Sequence, residues 1–75
     1  MSGVIKLTDG TVIKGTDLDS VVALDSNKEE VEEYWDNEVV FYYRFYYCDG
    51  RVRDITSNKI DPSSEEDLLD AIDTM

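Results

Sequence analysis

The sequence predicts an α+β fold: a small single domain, residues 1–75, whose antiparallel sheet is built from two β-hairpins and covered by two amphipathic acidic helices. Three observations predict it. Two Asp-Gly pairs, Asp9-Gly10 and Asp49-Gly50, each lie between strand-prone runs, the arrangement of a tight hairpin turn. Two further segments place apolar residues at helical spacing behind capping-box serines. The chain has 75 residues, of which 41% are hydrophobic and 33% charged; that is too apolar for a disordered chain and short enough for one domain.

The first element is "VIKLTDGTVIK". A two-residue turn at Asp9-Gly10 sets Leu7 opposite Val12 and Ile5 opposite Lys14, sending Ile5, Leu7 and Val12 to the core. "TDLDSVVALD" reads in two ways. Thr16 can cap a helix presenting Leu18, Val21 and Val22, or "VVAL" is a further short strand; length and β-branching favour the strand. "SNKEEVEEYWDN" predicts the first helix, with Ser26 and Glu29 at capping-box spacing. Val31, Tyr34 and Trp35 take one side, Glu29, Glu32, Glu33 and Asp36 the other, and Asn37 is the stop.

"EVVFYYRFYYCDGRVRDIT" is the second hairpin and the central part of the sheet. Alternation assigns Val39, Phe41, Tyr43, Phe45 and Tyr47 to the core face and Val40, Tyr42, Arg44, Tyr46 and Cys48 to the other. A two-residue turn pairs Tyr46 with Arg53, Arg44 with Ile55 and Cys48 with Arg51. "DPSSEEDLLDAIDTM" predicts the last helix, opened by Pro62, capped by Ser63 with Glu66, and buried along Leu68, Leu69, Ile72 and Met75.

The net charge is −11, unevenly spread. Residues 1–37 sum to −6, residues 38–60 to +1 and residues 61–75 to −6. The middle stretch holds four of the five tyrosines, both phenylalanines and all three arginines. Such acidity opposes binding to nucleic acid or to anionic membrane and favours encounter with basic partners. No apolar run reaches the roughly 20 residues of a membrane span. "MSGVIKL" lacks the pattern of a signal peptide, and one cysteine, Cys48, permits no internal disulfide. A cytoplasmic location is expected.

Catalytic chemistry finds little to work with. There is no histidine, the usual general base and metal ligand. Cys48 has no partner base, and the carboxylates lie on solvated faces without a pocket to separate their pKa values. An EF-hand loop begun at Asp17 or Asp25 lacks glycine at position 6 and glutamate at position 12. No enzyme activity, cofactor or metal site is expected.

"LTDGTVIKGT", Leu7 to Thr16, resembles the first motif of Sm-like RNA-binding proteins, with Leu, Asp before Gly, and a second Gly five residues on. The resemblance spans ten residues. Asp17 stands where that family has an apolar residue and no second Sm motif follows, so a strand-turn-strand accounts for the same residues and the family is not adopted. In type, the short acidic chain is similar to phage or mobile-element inhibitors and to antitoxin or immunity proteins.

The expected function is that of a non-enzymatic inhibitor or adaptor binding a basic, nucleic-acid-binding partner protein. Its sharpest form is nucleic-acid mimicry against a nuclease, CRISPR effector, restriction enzyme or polymerase. Glu29, Glu32, Glu33 and Asp36 of the first helix, with Glu66, Asp70 and Asp73 of the last, are the candidate charges. On the last helix, acids recur about every 3 Å along the axis, near the phosphate spacing of one DNA strand. The alternative is an interaction module, of antitoxin, immunity or self-associating type, using the sheet face of Tyr42 and Tyr46 with the arginines. A monomer is favoured over a homodimer because like-charged copies repel.

Overall fold

The computed structural model describes residues 3–36 and 38–73. Five strands and one α-helix are found among them: β1 Val4–Lys6, β2 Val12–Lys14, β3 Leu18–Leu24, β4 Tyr42–Tyr47, β5 Val52–Thr56 and α1 Glu65–Asp73, with 3-10 turns at Gly15–Asp17, Ser57–Lys59 and Pro62–Ser64. The fold is α+β, with a two-stranded sheet β1-β2 and a three-stranded sheet β3-β4-β5, all neighbours antiparallel. "VVAL" is strand, and it extends back to Leu18.

Both hairpins form at the Asp-Gly pairs, each one register step from the expected pairing. Ile5 faces Ile13 and Lys6 faces Val12; Tyr46 faces Val52 and Arg44 faces Asp54. The loops hold three residues, not two. In the first, Leu7 N–H donates to Thr11 O at 2.8 Å and Gly10 N–H to Leu7 O at 3.1 Å; in the second, Tyr47 N–H donates to Arg51 O at 2.8 Å and Gly50 N–H to Tyr47 O at 3.0 Å. The aspartates lock this form. Asp9 Oδ1 accepts from Thr11 N–H at 2.9 Å and Asp49 Oδ1 from Arg51 N–H at 3.0 Å, and these backbone bonds are the leading reason both carboxyls titrate below the usual range. Gly10 and Gly50 supply the left-handed position, φ 93° and 92°, that closes a type I turn with a bulge. The extra residue moves Val12 outward, 51% exposed, and brings Ile13 into the core.

The core draws on both sheets and the helix: Ile5, Leu7, Ile13, Leu18, Val21, Ala23, Val40, Tyr43, Phe45, Ile55, Ile60, Leu68 and Ala71. Alternation along β4 holds for Tyr43 and Phe45, with Tyr47 half-buried. It breaks upstream: Val40 is buried and Phe41 is 50% exposed. The strand begins only at Tyr42. Before it, Val39 and Val40 N–H both donate to Asp36 O at 3.1 Å, so period-two alternation has no backbone to act on there.

The last segment is helical from Pro62 to Asp73, twelve residues counting its opening 3-10 turn. Its N-cap is Asp61, not Ser63: Asp61 Oδ1 accepts from Ser63 N–H and Ser63 Oγ, each at 2.9 Å. The buried stripe is Ser64, Leu68 and Ala71, with Leu69 and Ile72 half-buried; Met75 lies outside the described residues. Ser64 Oγ accepts from Lys6 N–H at 2.9 Å, which fastens the helix start to β1. The helix packs on β3 and β1; on the opposite face of the three-stranded sheet Tyr42, Arg44 and Tyr46 are half-buried.

The first predicted helix does not form. Residues 25–36 make a loop with turns. Asp25 outcompetes Ser26 as local acceptor, its Oδ1 taking Asn27 N–H at 2.8 Å and Glu29 N–H at 3.1 Å. Lys28 adopts the left-handed φ of 62°, which ends any helical path. Leu24 then bridges Glu30, and Val31 N–H donates to Ala23 O at 3.0 Å, so the chain folds back on the outer edge of β3. Charge adds to this. In a helix, Glu29, Glu32, Glu33 and Asp36 would stack at spacings of three and four, each pair repelling. The predicted stop, Asn37, lies outside the described residues. No helix among the described residues is long and apolar enough to cross a membrane.

Candidate functional site

One side-chain hydrogen bond ties the acidic loop to the end of α1. Tyr34, on the loop, donates from its hydroxyl to Asp73 Oδ1 at 2.8 Å, at the far end of α1. The Asp73 carboxylate holds the Tyr34 hydroxyl above its ordinary pKa, with desolvation adding to it. Glu30, Val31 and Glu32 of the loop and Ile72 of α1 line a common groove. Glu29, Glu32, Glu33, Glu66, Asp70 and Asp73 are exposed, and Asp36 is half-buried. On α1 the angles of Glu66, Asp70 and Asp73 fall within about 60° of one another at 100° per residue, opposite Leu68 and Ala71. The even helical ladder expected for Glu29, Glu32, Glu33 and Asp36 is absent, because that stretch is not a helix.

Ion pairs among the described residues join Arg44 to Asp54 at 2.7 Å, Lys28 to the same carboxylate at 3.5 Å, and Arg51 to Asp49 at 2.7 Å. None of these involves Glu29, Glu32, Glu33, Asp36 or Glu66. The Arg44–Asp54 contact is a fork, Nε to Oδ1 at 2.7 Å and Nη2 to Oδ2 at 3.1 Å, the geometry of the strongest carboxylate pairing. It holds the Arg44 guanidinium above its ordinary pKa, with the Tyr46 hydroxyl contributing next, and holds Asp54 below its own.

This fork lies on the sheet face turned away from α1. Tyr42, Arg44 and Tyr46 are half-buried there, across from Leu24, Val22 and Ser20 on one side and Thr56, Asp54 and Val52 on the other. Lys28 Nζ stands 5.2 Å over the Tyr42 ring, and Arg51 stands 5.0 Å over Tyr47. Arg44 and Arg51 therefore pair with the neighbouring strand and turn. Sequence reasoning does not find Asp54 and Lys28 on this face: a two-residue turn sets Ile55 opposite Arg44 in place of Asp54, and helical spacing puts Lys28 on the first helix. The "DSN" of residues 25–27 was the available signal for the loop, since aspartate readily accepts from the N–H two residues on.

Trp35, 62% exposed, meets the Tyr34 ring edge-on at 5.0 Å. Cys48 is exposed. Tyr43 is buried, and burial, followed by repulsion from Glu65, raises its pKa. No protein family matches the chain, and no curated protein or solved structure matches it.

Proposed function

We propose that the protein is a non-enzymatic inhibitor or adaptor that docks its acidic side on a basic site of a partner protein. What carries this reading is the Tyr34–Asp73 bond: it brings two acidic stretches, far apart in sequence, into contact. Lys28, Arg44 and Arg51 are engaged with Asp54 and Asp49 on the sheet and its turn. Long-range attraction then steers encounter with a cationic partner. The partner class is a nucleic-acid-binding protein such as a nuclease, CRISPR effector, restriction enzyme or polymerase. In this form of the reading, α1 alone supplies regular charge spacing, and the loop adds charge without periodicity.

The test uses a partner captured by the immobilised protein from its host and then purified. Affinity is expected to fall steeply as salt rises. Changing Glu66→Gln, Asp70→Asn and Asp73→Asn together is expected to weaken binding more than tenfold, roughly 1.4 kcal/mol, with the fold retained. Nucleic acid is expected to compete. Unchanged affinity in the triple variant sinks the proposal.

A second reading uses the open sheet face as an interaction module of antitoxin, immunity or self-associating type. It is favoured by one observation: α1 covers the other face, so Tyr42 and Tyr46 remain half-exposed. Loss of binding on changing these two tyrosines, with the acids neutral in effect, would select it.

A further inference from the structure

We infer that the outer edge of β3 is a docking groove for an extended basic segment of the partner, paired to it as an added strand. The inference rests on the acidic-docking reading and specifies how such a partner is held. β3 is the end strand of its sheet. Its outer edge is occupied only at its C-terminal end among the described residues, where Val31 N–H reaches Ala23 O and Glu30 bridges Leu24. Residues along a strand alternate in the direction of their N–H and C=O groups. Since Ala23 C=O points outward to Val31, the main-chain groups of Val21 point outward too.

A groove of about 360 Å³ runs there, lined by Val21, Val22, Ala23, Val31, Glu32 and Ile72 among others. Val21 and Ala23 have their side chains in the core, so what they present to the groove is backbone. An extended peptide at a sheet edge takes its affinity from such main-chain bonds and its selectivity from alternate side chains. Val31 and Ile72, both half-buried, offer an apolar wall for one set of alternate residues. Glu30 and Glu32 on the groove, with exposed Asp19 on the strand itself, offer carboxylates for lysine or arginine in the other set. Charge therefore selects a basic occupant over a second copy of this acidic chain. Only 2% of Val21 is exposed, so an incoming segment reaches its main chain only by displacing the groups that cover this edge.

The probe is a seven-residue peptide alternating lysine and valine, capped at both ends. It is expected to shift the amide resonances of Asp19 to Ala23 and to slow Val21 amide exchange at least tenfold. The same peptide N-methylated at every residue keeps charge and side chains but donates no backbone hydrogen bond; it is expected to bind at least tenfold more weakly. Glu30→Gln with Glu32→Gln should weaken the unmethylated peptide several-fold, and Ile72→Lys should abolish binding where Ile72→Val retains it. Equal binding by the methylated peptide, no binding by either, or shifts confined to Glu66–Asp73 would overturn the inference and leave broad acidic docking standing. Groove binding alongside an inert Glu66/Asp70/Asp73 variant in the partner assay would keep the groove and remove the broader reading.

Discussion

Residues 26–36 and 63–73 carry the same local signature, serine followed by glutamate three residues on, then apolar residues at helical spacing. One becomes a loop and the other a helix. Three differences separate them. Asp61 precedes Pro62 and caps from outside the helix, whereas Asp25 takes N–H groups two and four residues on and closes a turn. Three of the five acids of α1, Glu65, Glu66 and Asp67, lie in its first turn, where the helix dipole favours them; the loop's Glu32, Glu33 and Asp36 would lie beyond the first turn of a helix begun at Ser26. Leu68 and Ala71 give α1 a stripe that the core accepts, while the loop offers Val31 and Tyr34 only at the core's margin. A capping signature thus nominates a helix, and packing with charge decides whether it forms.

The largest effect that sharpens this contrast is expected from the packing term. Leu68, 0% exposed, should cost about 2–5 kcal/mol on change to alanine, read by chemical denaturation. Val31→Ala, at half-burial, should cost less than half as much. Equal losses would break the contrast. The capping term comes next. Asp61→Ala should cost about 1 kcal/mol, while Ser26→Ala should stay within about 0.5 kcal/mol, although the sequence pattern offers Ser26, not Asp61, as a cap.

A smaller effect of opposite sign is expected at Lys28. Glycine adopts its φ of 62° without the Cβ penalty, so Lys28→Gly should stabilise by up to about 1 kcal/mol. A loss there would show that the Lys28 contacts to Asp54 and Tyr42 outweigh the backbone. The smallest effect concerns pH. The Tyr34 pKa is raised by its bond to Asp73, so that bond's contribution is complete below pH ~10, the ordinary tyrosine value, and is lost as pH rises through the higher folded value. Tyr34→Phe should flatten alkaline destabilisation without removing it, because buried Tyr43 is shifted the same way. An unchanged alkaline slope would show that the loop and α1 are not coupled through this bond.

The sequence alone determined the two turns, the strand-forming runs, the last helix and the segregation of charge. These depend on neighbours a few residues apart: aspartate before glycine, proline behind an aspartate, β-branched runs. It left three things undetermined. One extra loop residue reset both registers, so Ile13 replaced Val12 in the core and Asp54 came to face Arg44. At the start of β4, the choice between Val40 and Phe41 turned on where pairing with Leu24 begins. The acidic run at 29–36 met α1 through a tyrosine 39 residues away from its partner aspartate. Each of these was decided by surfaces distant in sequence, because burial and cross-strand pairing act between segments that only the folded chain brings together.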